Sequence, residues 1–167
     1  MKQIFLLRHA KSDWNNLGEQ DFDRSLAKRG IQDASTISNH VKKNNHLIEK
    51  VLCSSSKRTE QTFDYWSDGF NFPIENAEYL DDLYFGDTDK IIRLIQNINE
   101  SISSILIVGH NPTMHSLAES LTEETLKKFP TCSLAEITSE TSWKDLPLKK
   151  CKLKSFIKPK ELKSWKM

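Results

Sequence analysis

Two histidines and two arginines in this chain stand where a fold can gather them. Arg8 and His9 directly follow the apolar run Ile4-Phe5-Leu6-Leu7, His110 follows Ile105-Leu106-Ile107-Val108-Gly109, and Arg58 lies shortly beyond Val51-Leu52-Cys53-Ser54. A short apolar run ending in a polar cluster reads as a buried strand, and the ends of such strands are where open α/β sheets bind ligands. Planar guanidinium forks match the oxygens of a phosphoryl group. Fixed positive charge beside an imidazole keeps it neutral, with a lone pair free to attack phosphorus. Singly, each residue has an ordinary structural reading, a hydrogen-bonded histidine or a surface arginine; their conjunction suits phosphoryl chemistry.

The elements that must position them follow from pattern. Lys2 to Leu7 makes the first strand, and the polar loop from Arg8 to Asp23 is long enough to fold back over its end. Leu26, Ile31, Ala34, Ile37 and Val41 recur at helical spacing between Arg24 and about Lys43, with Gly30 unfavourable in the first turn. After the strand Val51 to Ser54, Ser55 or Ser56 can cap a helix reaching about Trp66. A connection with a short strand at Phe72 to Glu75 leads to a helix from Asp87 to Asn99, capped by Asp87, Thr88 or Asp89. Ser104 to Val108 is the clearest strand, and Pro112 suits the first turn of a helix burying Met114, Leu117, Ala118 and Leu121. Two last strands are expected at Ser133 to Thr138 and Lys149 to Phe156. Alternating strand and helix, with no repeat or linker, predicts one α/β domain over residues 1–167, layered about a mostly parallel central sheet.

Composition narrows the function classes. Hydrophobic content of 37% with 28% charge fits a soluble globular chain, and a net charge of +1 gives no global pull toward nucleic acid or membrane. No apolar run approaches bilayer length and the start lacks a secretory signal. Three cysteines without a close pair argue against a disulfide framework or zinc ribbon, so the cytoplasm is the expected compartment. A thiolate phosphatase loop from Cys53 to Arg58 has four intervening residues instead of five and no glycine to let the backbone wrap an anion. A metal site from His9, His110 and His115 is disfavoured by the neighbouring arginines and by the helical step from His110 to His115; no metal or other cofactor is expected. Lys149, Lys150, Lys152, Lys154, Lys158, Lys160, Lys163 and Lys166 offer a non-enzymatic alternative, a binding module for nucleic acid or an acidic protein. Cys151 and Leu153 alternate with the lysines, however, which is the pattern of a half-exposed strand with a charged edge.

Leu7-Arg8-His9-Ala10-Lys11-Ser12, Asp21-Phe22-Asp23-Arg24-Ser25-Leu26 with Arg29-Gly30, Ser54 to Thr62, and Val108-Gly109-His110-Asn111-Pro112 together resemble the histidine phosphatase superfamily, phosphoglycerate-mutase-like branch. Within it the chain is most similar to SixA-type phosphohistidine phosphatases, including Pro130-Thr131, Trp143 and Pro159-Lys160-Glu161-Leu162; Ala10 replaces the glycine of many other members. The resemblance implies a three-layer α/β/α sandwich and hydrolysis of a phosphohistidine or phosphomonoester through a covalent phosphohistidine on His9. Arg8 and Arg58 would clamp the phosphoryl oxygens and His110 would donate to them, with Ser12, Asn15 and Asn111 as further substrate-binding groups. The proton donor is left between Asp82, in Leu80-Asp81-Asp82-Leu83-Tyr84-Phe85-Gly86, and Asp21. The short connection between Trp66 and Asp87 leaves an open site, which fits a phosphorylated protein better than a small phosphoester metabolite, the alternative substrate.

Overall fold

Ile4, Phe5, Leu6 and Leu7 are all fully buried because strand β1 (Lys2–Arg8) lies inside a sheet that is covered on both faces. The computed structural model describes residues 1–164. Strands β1, β2 (Lys50–Ser54), β3 (Glu78–Leu80), β4 (Ser104–Gly109), β5 (Leu134–Ser139) and β6 (Lys152–Ile157) form a sheet of order β3-β2-β4-β1-β5-β6. The pairs β1·β4, β2·β4 and β2·β3 are parallel, and only β5 runs against its neighbours.

The helices are α1 (Lys28–Asn44), α2 (Lys57–Phe70), α3 (Asp82–Phe85), α4 (Thr88–Gln96), α5 (Thr113–Leu121) and α6 (Pro159–Ser164). Alternation along the central strands sorts the core into two layers. Ile4, Leu6, Ile105 and Ile107 face α4 and α5, packing with Ile91, Ile95, Met114 and Leu117. Phe5, Leu7, Leu106 and Val108 face α1 and α2, packing with Ala34, Ile37, Phe63 and Trp66. The result is the three-layer α/β/α sandwich with a mostly parallel sheet.

Several boundaries differ from the sequence pattern, each for a local reason. Helix α1 begins at Lys28 instead of Arg24, because residues 24–27 run extended against the loop after β1. Asp13 N–H donates to Ser25 O (2.9 Å), Ala27 N–H donates to Lys11 O (2.9 Å), and Ser12 bridges to Leu26. That pairing turns Arg24 inward and leaves Ile31 at the surface. The edge strand lies at Glu78–Leu80, not at Phe72 to Glu75, where Pro73 lacks an N–H and opens a 3₁₀ turn at Ile74–Asn76. Asp87 caps α4 by accepting from Lys90 N–H (2.9 Å). Ser56 occupies the N-cap of α2, yet its hydroxyl makes no capping bond and meets Thr59 Oγ1 instead. Lys152 and Lys154 are exposed on edge strand β6 with Leu153 partly buried between them, as the alternation requires; the Lys163 side chain and Lys166 lie outside the described residues.

Gly30 explains how α1 is pressed against the loop that carries the Arg8-His9 pair. The residue is buried, and a Cβ there would sit 2.1 Å from Lys11 O. Gly30→Ala is therefore expected to destabilise the fold by about 1–3 kcal/mol in urea denaturation. Ile31→Ala, at an exposed neighbouring position, should stay within about 1 kcal/mol of the parent. Equal stability of the two variants would contradict the close approach.

Candidate active site

The register of the two central strands creates the site. Arg8 of β1 lies opposite Gly109 of β4, so the next residues, His9 and His110, emerge side by side, and His9 N–H donates to Gly109 O (3.0 Å). Their ring centroids are 5.2 Å apart at an interplanar angle of 53°. On the other side of β4, Cys53 of β2 pairs with Val108, which brings Ser54 and the first turn of α2, with Arg58, alongside. Of the residues expected from the sequence, Arg8, His9, Ser12, Asp21, Arg58, His110 and Asn111 line one cleft of about 670 Å³.

The two imidazoles are held neutral, each in a definite tautomer. His9 is buried, and its Nδ1 donates to Ala10 O (2.7 Å); a carbonyl only accepts, so the Nε2 lone pair is left free. Burial, with smaller contributions from His110, Arg58 and Arg8, outweighs the Ala10 bond and lowers the His9 pKa to about 3. Ala10 is itself fixed from α2, where Thr62 Oγ1 accepts its N–H (2.9 Å). His110 Nε2 lies 2.9 Å from Ser54 Oγ and 3.3 Å from Ser56 Oγ. The Ser54 hydroxyl already accepts from Ser56 N–H, and its own proton has no other acceptor among the described contacts. It therefore donates to Nε2, which puts the His110 ring proton on Nδ1. Burial, then the charge of Arg58, brings the His110 pKa down to about 4.

One carboxylate organises the cations. Asp21 Oδ1 accepts from Arg24 Nε (3.1 Å) and NH2 (2.9 Å), while Oδ2 accepts from Arg58 NH2 (3.0 Å) and the Tyr84 hydroxyl (2.5 Å). Burial alone would raise its pKa, but the bonds from Tyr84, Arg58 and Arg24 prevail and hold the carboxyl well below the usual range. Arg58 NH1 also donates to Asp21 O (2.6 Å), and Arg8 NH1 to Phe129 O (3.0 Å). Arg24 bonds Ser12 Oγ (2.6 Å) and stacks 3.4 Å over Trp14. Arg8 Nε, Arg58 Nε, His110 Nδ1 and Asn111 Oδ1 are buried without a protein partner among the described residues. Three of these four are donors lining a cleft with three arginines, which is chemistry for a tetrahedral oxyanion.

Neither Asp82 nor Asn15, both expected from the sequence, lines the cleft. Asp82 is exposed on α3 and pairs with Lys90 (2.8 Å). Asn15 is exposed, with its backbone N–H on Asp13 Oδ1. His115 bonds Leu126 O (2.9 Å), away from the other two histidines. Cys53 is fully buried, and burial pushes its thiol up, the opposite of an activated thiolate. Sequence reasoning missed Arg24, Tyr84 and Ser54 as parts of the site. Arg24 was legible as the fourth residue of Asp21-Phe22-Asp23-Arg24; Tyr84 and Ser54 carried no periodic or compositional signal.

The imidazole shifts set a pH dependence of stability. A histidine whose folded pKa is depressed stabilises the fold above its ordinary value of 6.5 and loses that contribution as pH falls toward the folded value. Stability should therefore decline between pH 6.5 and about 4, by at most about 1.4 kcal/mol per pH unit from His9. Urea denaturation of His9→Asn across this window should show a shallower decline than the parent; parallel curves would contradict the neutral buried ring.

Known proteins resemble this chain in sequence and fold. Residues 4–100 match the family model of the histidine phosphatase superfamily (branch 1). An uncharacterised protein of Mycobacterium leprae is 32% identical over 92% of this chain and all of its own length. The phosphohistidine phosphatase SixA of Escherichia coli is 31% identical over 84% of this chain and 87% of its own. The structure of a protein histidine phosphatase SixA complexed with tungstate superposes with a TM-score of 0.83 at 28% identity, covering 96% of this chain and 99% of that one. The chain belongs to the histidine phosphatase superfamily, branch 1, with the fold of SixA-type members.

Proposed function

We propose that this phosphatase hydrolyses a protein-borne phosphohistidine through a covalent phosphoryl group on His9. The observation that carries the reading is the His9 ring, neutral, with Nδ1 tied to Ala10 O and the Nε2 lone pair free beside Arg8, Arg58 and His110. Nε2 attacks phosphorus and forms an N–P bond while the bond to the leaving group breaks with its electron pair. Water then attacks the phosphorylated His9 and returns the free ring and inorganic phosphate. Arg8 and Arg58 neutralise the oxygens, and His110 Nδ1–H donates to them as charge builds.

The choice of leaving group rests on Asp21. It is the one carboxylate among the described cleft residues, and its bonds to Arg24, Arg58 and Tyr84 keep it ionised. An alkyl ester leaves as an alkoxide and needs a proton from an acid. A phosphoimidazole already protonated on its other nitrogen leaves as neutral imidazole and needs none. The similarity to a named phosphohistidine phosphatase over most of both chains supports the same reading. Two or more guanidinium groups around the imidazoles disfavour a bound cation, so catalysis is proposed to need no metal.

Three outcomes test this. His9→Ala should reduce turnover of an aryl phosphate to background, and mass spectrometry of the parent should find a phosphorylated His9; turnover retained by the variant would remove His9 as nucleophile. Phosphoimidazole should be turned over at least about 10²-fold better than a simple alkyl phosphate, the usual worth of a positioned acid, and equal rates would remove the proposed substrate class. Turnover should survive EDTA, and its loss would show that a metal takes part. Separately, Arg58→Ala should lower kcat/KM about 10- to 100-fold, as expected for losing charged hydrogen bonds; an unchanged value would take Arg58 out of the site.

A further inference from the structure

The segment from Leu80 to Gly86 supplies the cleft with a tyrosine instead of an acid. α3 is one short helix, anchored inward by buried Leu83 and outward by the Asp82–Lys90 ion pair. Its end is fixed by Gly86, whose N–H donates to Asp82 O (2.8 Å) and where a Cβ would lie 2.2 Å from that same oxygen. These restraints set Tyr84 against two elements of the phosphoryl site at once. Its ring meets the His110 ring edge-on, with centroids 5.3 Å apart at 78°, and the Arg58 guanidinium carbon lies 5.9 Å from the Tyr84 ring centroid. Its hydroxyl donates to Asp21 Oδ2, the oxygen that also accepts from Arg58.

We propose that Tyr84 is a positioning residue for phosphoryl transfer, holding His110 through its ring and Arg58 through its hydroxyl on Asp21. The inference rests on the phosphatase reading and adds a residue to it. Asp21 Oδ1 is fully engaged by Arg24, so among the described residues Oδ2 is the one carboxylate oxygen bonded to Arg58, on a side chain that is 47% exposed. Without the Tyr84 hydroxyl, Oδ2 keeps a single protein donor and can turn toward water. Without the ring, His110 loses this edge contact and keeps only its neighbours on the other elements, among them the Ser54 and Ser56 hydroxyls at Nε2. The hydroxyl proton is committed to a carboxylate, and burial followed by the Asp21 bond raises the Tyr84 pKa, so the phenol acts as a fixed donor and not as the acid for the leaving group.

Two variants separate the ring from the hydroxyl. Tungstate binding, turnover of an aryl phosphate and the NMR titration of the His110 ring are measured for the parent, Tyr84→Phe and Tyr84→Leu. Tyr84→Phe keeps the ring, so it should weaken tungstate binding and raise KM by about three- to tenfold, the worth of one hydrogen bond to a charged network, with kcat within about twofold. Tyr84→Leu should show the same binding loss and, in addition, a kcat lowered about tenfold or more, from losing a ring contact and the alignment it gives. Its His110 titration should move up toward the ordinary imidazole range as water reaches a ring otherwise faced by Arg8, Arg24, Arg58, Asp21 and His9. A loss of tungstate affinity and a raised KM in Tyr84→Phe, which keeps the ring and its packing, distinguishes positioning through the Asp21 bond from a general packing role. Parent-like KM, kcat and His110 titration in both variants would overturn the proposal while leaving the phosphatase reading intact. A parent chain that neither binds tungstate nor turns over the ester would overturn both.

Discussion

Positive charge gathered with too little countercharge is the constraint on which the site depends. Arg24 and Arg58 are nearly buried, Arg8 is partly buried, and Asp21 is the single described cleft carboxylate that faces them. Guanidinium groups cannot shed their protons, so the imperfect balance falls on the groups that can respond. The two imidazoles stay neutral, chiefly because they are buried, and the cations add to the same effect. An electrostatic deficit of this kind suits a dianion, whose binding would relieve it. The neutrality that burial, reinforced by the neighbouring cations, imposes on His9 is what leaves its Nε2 lone pair available.

The sheet turns this constraint into geometry. Strands β1 and β4 are the two central strands, buried on both faces, and a slip of one residue between them would exchange the layers that Ile4 and Phe5 occupy. Core packing thus fixes the register, and the register fixes the separation of His9 and His110. The adjacent strand end is closed by Cys132, whose N–H donates to both Arg8 O and His9 O (3.0 Å each). Precision at the cleft is consequently a property of the apolar interior, with the loops contributing the counter-ion and the rim.

Much of this was legible in the sequence because it rests on apolar runs. Ile4 to Leu7 and Ile105 to Val108 read as buried strands, and whatever follows them stands at the sheet's end; the proximity of His9 to His110 needed in addition the pairing of β1 with β4, which apolar runs alone do not specify. The parts that were not legible depend on short-range pairing across the chain. Residues 24–27 have helical spacing but spend their backbone groups on Lys11 and Asp13, and Pro73 displaces the edge strand to Glu78. Asn15 and Asp82 are polar residues in motif-bearing segments, yet a motif specifies where the backbone goes and not which neighbouring side chain turns inward. On a single-turn helix such as α3, adjacent residues point in different directions, so Asp82 reaches Lys90 while Tyr84 reaches Asp21.

That difference bears on how the chemistry is divided. A carboxyl group can serve as an acid only if its environment keeps it protonated, by burial or by a like charge. In this cleft the environment does the reverse, since any carboxylate brought near Arg24 and Arg58 is driven to ionise. An acid catalyst and a dense guanidinium cradle are therefore in competition for the same space. The chain resolves the competition in favour of the cradle, using Asp21 to orient cations and Tyr84 to orient Asp21. On the proposed function, such an arrangement would gain affinity for a phosphoryl group and give up protonation of the leaving group, so the demand for a good leaving group would follow from the same cluster of charges that recognises the phosphate.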